Sequence, residues 1–192
     1  MVIQRTTVVG LLILSVGCAD GSEAPPTGQV SPMVDVPSRA EPAPEKRLIE
    51  RVRALQEAMR RGDHEYIVDA VPKDVVKASG GRAKLLAELA SSDADVRGVA
   101  ANMELQSPSR VHAIGSQLVS VVHYQSNITL DGRSHPMSAC WIAFSDDAGA
   151  TWFLMSRSKA GREHLRQSRP EVYEVIEPDL LPVTVTGMGS LR

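Results

Sequence analysis

The sequence predicts an α+β domain, with N-terminal helices packed on a curved antiparallel sheet and a disordered N-terminal tether ahead of them. Three observations carry this. Apolar residues recur at helical spacing from Glu45 to about Ser91, they alternate from about Val96 onward, and the stretch before Glu45 offers almost nothing for a core. With the front set aside, roughly 150 residues remain, one ordinary domain. A hydrophobic content of 43% is enough to fill its interior. The net charge of −2 argues against nucleic acid as a partner, which would call for a basic surface.

The front of the chain comes first. Arg5 supplies a positive charge, and Thr6 to Val16 form an apolar run of signal-peptide length. That run falls well short of the roughly 20 residues a spanning helix needs. Ser15-Val16-Gly17-Cys18 resembles the lipobox of bacterial lipoproteins, with Ser15 standing where the family usually has leucine. The resemblance implies a signal peptide over residues 1–17 and a lipidated Cys18 as the first mature residue. Cys18 would then carry a thioether-linked diacylglycerol and usually an N-acyl chain such as palmitate, making membrane lipid a partner. At about 0.8 kcal/mol per buried methylene, several acyl chains hold a protein at a membrane essentially permanently. The other reading is an ordinary secretory signal cut after Ala19, with Gly17 and Ala19 as the small-residue pair. That would leave a secreted or periplasmic domain. Both readings are extracytoplasmic.

Residues 18–44 read as tether. Asp20 to Pro44 holds six of the chain's 12 prolines, and it suits an extended, partly polyproline-like spacer. From Glu45, Leu48, Ile49, Val52, Leu55 and Met59 share one helix face, with Pro44 at the start and Gly62 just past the end. Asp63 is placed to cap a second helix, His64 to Val71, that Pro72 stops. After the break at Ser79-Gly80-Gly81, Leu85, Leu86 and Leu89 mark a third helix ending near Ser91.

Candidate strands follow at 99–106, 110–114, 118–130, 137–145 and 152–156, with a tight hairpin signal at Asp131-Gly132. In the long strand Leu118, Val122, Tyr124, Ile128 and Leu130 share one face, and Val119, Val121, His123, Gln125, Asn127 and Thr129 the other. The phrase Gln56-x-x-Met59-x-x-Gly62-Asp63, then further helices and a sheet of long strands, resembles the NTF2-like (SnoaL-like) cone-shaped fold. The resemblance covers about residues 45–156 and rests on layout. Families on this fold include isomerases, hydrolases, scaffolding domains and many small proteins without known activity, so fold alone assigns no activity.

The sharpest motif is Ser145-Asp146-Asp147-Ala148-Gly149-Ala150-Thr151-Trp152, which resembles the Asp-box of sialidases and related propellers. It occurs once, in a chain too short for a propeller. It is therefore expected to act locally: Ser145, Asp147, Gly149 and Trp152 would staple a hairpin between the last two strands. For chemistry, the NTF2-like resemblance implies a cavity carboxylate assisted by a tyrosine or second acid. Candidate pocket residues are Tyr66, Asp69, His123, Tyr124 and Trp141, with Glu104 and His112 as further titratable groups. Each is also an ordinary cap, surface or core position. No catalytic set, metal-ligand spacing or cofactor motif emerges. Cys140, beside Trp141 and Ile142, reads as a buried, inert thiol, a Cys18–Cys140 bridge being the alternative.

Lys159 to Gln167 suggests a polar helix, Pro170 starts another, and the apolar stretch through Val183 would cover the sheet, leaving 184–192 as a tail. The other reading of that apolar stretch is an exposed docking strip. Together these readings predict a lipid-anchored, extracytoplasmic domain over residues 45–183 that binds a ligand or partner without catalysis. The alternative is a small SnoaL-like enzyme doing general acid–base chemistry on a small apolar substrate. Candidate partners besides lipid are a protein, a small apolar ligand, or a second copy of the chain.

Overall fold

A computed structural model describes residues 43–130 and 133–180, and the backbone of 184–185 and 189–190. The signal peptide, Cys18, most of the tether and the Asp131-Gly132 turn lie outside the described residues. So do residues 181–183 of the apolar cover.

Five helices come first: α1 (Pro44–Arg61), α2 (His64–Asp69), α3 (Lys73–Ala78), α4 (Arg82–Ser91) and α5 (Asp93–Ala101). The strands are β1 (Glu104–Pro108), β2 (His112–Ile114), β3 (Gln117–Leu130), β4 (Arg133–Ser145) and β5 (Phe153–Ser156). They are followed by α6 (Lys159–Ser168), α7 (Pro170–Ile176) and a 3-10 turn at Glu177–Asp179. Short strands β6 (Thr184–Val185) and β7 (Gly189–Ser190) close the order, so part of the expected tail joins the sheet.

The structure is α+β, as the period switch predicts, but the switch comes later than expected. Residues 99–101, placed in a strand by the sequence reading, end helix α5. Asp93 and Asp95 sit in its first turn, where acidic groups are favoured, and Val96, Val99 and Ala100 bury one face at helical spacing. Helix α3 is also additional to the three helices expected. Its only fully buried residue is Val75, too sparse a pattern to be read from periodicity.

Each residue of the phrase beginning at Gln56 has a structural task. The Gln56 side-chain amide donates to the carbonyls of Met103 (2.8 Å) and Ala100 (3.3 Å), and Arg60 Nε donates to Ala100 at 3.0 Å. The carbonyls at the end of α5, which lack helical partners, are thereby satisfied from α1. Met59 is buried, and Gly62 closes α1 in the left-handed region at φ 70°. Asp63 caps α2 by accepting from the Tyr66 amide at 3.1 Å.

The sheet is antiparallel throughout its recorded pairings, with β3 and β4 paired from Leu118↔Ser145 to Leu130↔Arg133. β1 and β2 lie one after the other along the outer side of β3. Within β1, between Leu105 and Pro108, the register shifts. Just after it Ser109 holds the chain to β3, its amide donating to the Val121 carbonyl (2.7 Å) and its Oγ accepting from the Val121 amide (3.0 Å). On the other side, β5 and then β6 share β4 in the same manner.

The two faces of β3 have different covers. Val122, Tyr124, Ser126 and Ile128 lie on the face that α5 packs against and are buried; Ser126 Oγ donates to the Val99 carbonyl of α5 at 2.6 Å. On the opposite face Val119 and Val121 are buried beside Phe144 and Ile142 of β4, at the end that α7 covers. Toward the hairpin that face opens, leaving Gln125, Asn127 and Thr129 exposed. Helix α7 therefore packs at one end of one face, and α5 packs on the other. Leu165, Val172, Ile176 and Leu180 are buried, which favours packing over an exposed strip for the part of the apolar cover described here.

Candidate functional site

The residues read from the sequence as a pocket occupy three separate settings. Tyr124 and Trp141 come together on the face toward the N-terminal helices, with ring centroids 4.7 Å apart and planes tilted by 35°. Tyr124 is fully buried and its hydroxyl has no hydrogen-bond partner. Burial pushes its pKa well above the usual tyrosine range, so it stays protonated at any physiological pH. Trading this hydroxyl for hydrogen, in Tyr124→Phe, removes an unsatisfied polar group. The variant is expected to gain about 1 kcal/mol of stability, read as a higher urea midpoint at unchanged slope. A loss of stability would show that the hydroxyl has a partner.

Tyr66 and Asp69 belong to a second setting, built around Arg51 and Arg82. Arg51 donates to the Tyr66 hydroxyl (2.6 Å) and to the Trp152 carbonyl (3.1 Å), and lies 4.7 Å from the Tyr66 ring centroid. Asp69 is exposed, and its carboxylate pairs with Arg82, which also pairs with Glu65. These contacts tie α1, α2 and α4 to the corner where β5 begins. Of the further titratable groups, Glu104 is exposed, and His112 lies 3.3 Å from Asp179.

The Asp-box forms the neighbouring corner. Asp147 Oδ1 accepts from the Ser145 hydroxyl and the Thr151 amide, each at 2.8 Å, and Ser145 Oγ accepts from the Gly149 amide at 2.8 Å. The backbone bond from Thr151 chiefly holds the Asp147 carboxyl below its ordinary pKa. Ala148 and Gly149 both take positive φ, 55° and 87°. A Cβ on Gly149 would lie 2.7 Å from the Pro44 side chain, so the start of α1 rests directly on this turn.

His123 occupies the third setting, on the opposite sheet face from Tyr124. It lies directly across from Cys140 on β4. The Arg157 amide in turn donates to the Cys140 carbonyl at 3.2 Å, continuing the β4–β5 register by one residue. Histidine, thiol and guanidinium thus form a row over three adjacent strand positions on one face. Cys140 is 1% exposed, and burial pushes its thiol up to about 11, which fits an inert role.

Helix α6 begins immediately beyond this row. Ser158 caps it by accepting from the Gly161 amide at 3.0 Å, and its first turn carries Arg162. The Nε atoms of Arg157 and Arg162 are both buried and without a hydrogen-bond partner. Burial, and then the Arg162 charge, lower the Arg157 pKa; the Cys140 and Tyr173 groups act in the opposite sense. Asp74 of α3 is engaged by the same C-terminal helices: it accepts from Arg169 at 2.9 Å and lies 3.7 Å from His164.

No family model, curated protein or solved structure matches the chain.

His123 and Tyr124 are both candidate pocket residues in the sequence, but they lie on opposite faces of β3, as its alternation predicts, and do not share a site. The sequence reading misses Arg157 and Arg162 altogether. Their signal is the run Arg157-Ser158-Lys159-Ala160-Gly161-Arg162, three cations within six residues at a strand-to-helix junction. A separate cleft of about 110 Å³ lies between α5 and the hairpin end of the sheet, walled by Asp95, Asn102, Asn127 and Thr129 among others. Small and polar, it is unlike the apolar enclosure that a SnoaL-like reaction requires. Among the described residues no group of three metal-ligating side chains forms, and no helix is long and apolar enough to cross a membrane.

Proposed function

We propose that the chain is an extracytoplasmic lipoprotein, held to a bacterial membrane through Cys18, whose folded domain binds a ligand or partner without catalysing a reaction. The anchor rests on the lipobox-like Ser15-Val16-Gly17-Cys18 and on the proline-rich spacer between it and the first helix. The domain is read as an NTF2-like cone. Helices laid against a curved antiparallel sheet, with Tyr124 and Trp141 turned toward them, support that reading.

One observation favours binding over catalysis. The acid–base candidates are held apart: Tyr66 is bonded to Arg51, Asp69 is exposed on Arg82, and His123 and Tyr124 face opposite sides of the sheet. General acid–base chemistry needs such groups within hydrogen-bond reach of one reacting atom.

Mass spectrometry of the mature N-terminus, with and without globomycin, tests the anchor. The expected product begins at a diacylglyceryl-modified Cys18, and globomycin makes the uncleaved form accumulate. An unmodified chain beginning at Asp20 would instead establish the secreted form.

A further inference from the structure

We propose that Arg157 and Arg162, at the junction of β5 and α6, form a binding site for a phosphate group. The inference rests on the reading of the domain as a binder, and it is independent of the anchor. Both side chains are half-buried at one strand-to-helix junction, and the charge of Arg162 acts on Arg157 while no carboxylate among the described residues does. Both Nε donors are sealed from solvent without an acceptor, and neither side chain is joined by a hydrogen bond or ion pair to any described residue. Buried donors are nearly always satisfied, and a buried charge without a counter-charge is costly.

Among the described residues the surrounding acids do not supply the missing acceptor. Asp74 is shared by Arg169 and His164, and the Tyr173 hydroxyl donates to Glu177 at 3.2 Å. Arg169 is further occupied by the Phe144 ring, 5.1 Å from its guanidinium carbon. What remains unmatched is the charge of two arginines. A phosphate monoester dianion matches it in number and in shape, because each guanidinium fork can give two parallel N–H bonds to neighbouring oxygens. A single carboxylate balances only one of the two. His123 stands two strands along the same row, half-buried, where it can meet the group esterified to the phosphate.

That phosphate can belong to a soluble ester or to a lipid headgroup. Thermal unfolding of the purified full-length chain is therefore followed with inorganic phosphate and glycerol 3-phosphate. A parallel arm measures binding to phosphatidylcholine vesicles with and without phosphatidic acid. The expected result is a saturable rise in Tm with phosphate, beyond that of chloride at equal ionic strength. The double variant R157Q/R162Q loses at least about tenfold in phosphate affinity, as expected for removing charge-assisted bonds. Without phosphate it melts no lower than the parent, since it also removes a like-charge contact; arginines with a purely structural role would give the reverse.

Binding to vesicles only when phosphatidic acid is present would assign the phosphate to lipid. A response to glycerol 3-phosphate without vesicle binding would assign it to a soluble ester. A shift equalled by chloride, or a double variant that responds as the parent does, would overturn the site. Phosphorus-31 NMR of the parent chain gives the same reading if the variant folds poorly, and absence of a saturable, exchange-broadened signal would overturn it too. An unmodified mature N-terminus would leave this result standing, so the anchor and the site fail separately.

Discussion

Replacing Trp152 by alanine is expected to lower the unfolding free energy by about 3–5 kcal/mol, the usual range for deleting a buried large aromatic. The residue is 2% exposed, among the largest fully buried side chains, at the exit of the Asp-box turn. Its ring Nε1 has no partner, so the loss comes from packing and cavity formation and not from a broken side-chain hydrogen bond. Its carbonyl, by contrast, accepts from Arg51. Urea unfolding followed by circular dichroism measures the effect. Trp152→Phe should recover a large part of it, because the smaller ring leaves a smaller void and discards a donor that has no acceptor. A Trp152→Ala variant within 1 kcal/mol of the parent would mean that the corner can collapse around the cavity.

Arg51→Met is the second large effect, expected at about 2–3 kcal/mol. Methionine keeps much of the aliphatic bulk, and the substitution removes the bonds to the Tyr66 hydroxyl and the Trp152 carbonyl together with the stacking on Tyr66. A combined Arg51→Met/Tyr66→Phe variant should lose less than the sum of the two single changes, because the pair shares one interaction. Additive losses would show that Arg51 and Tyr66 act independently. Neither change should alter phosphate binding at Arg157 and Arg162, which sit on the sheet face turned away from the N-terminal helices.

The parts of the fold that were legible in the sequence had a local cause. Gly62 and Asp63 mark a helix end and a helix start because one tolerates positive φ and the other accepts from a free amide. The alternation in β3 separates Tyr124 from His123 because a strand can do nothing else. Helix α5 is absent from the sequence reading, which begins a strand at residue 99: nine residues with only Val96, Val99 and Ala100 buried, at i, i+3 and i+4, give a short signal beside the alternation that follows. The candidate site was less legible for a different reason. An arginine looks the same in sequence whether paired or unpaired, and only the cross-strand register reveals that Arg157 joins Cys140 and His123 while Asp74 is engaged elsewhere.

The close seat of Pro44 on Gly149 has a mechanical consequence. A pulling load on the N-terminal segment enters the domain at Pro44, where α1 begins against the Asp-box turn. The turn is clamped by three side-chain hydrogen bonds of 2.8 Å and closed by a buried tryptophan. For a protein held by its N-terminus, drag on the domain would therefore press on this clamped turn before it could peel the first helix away.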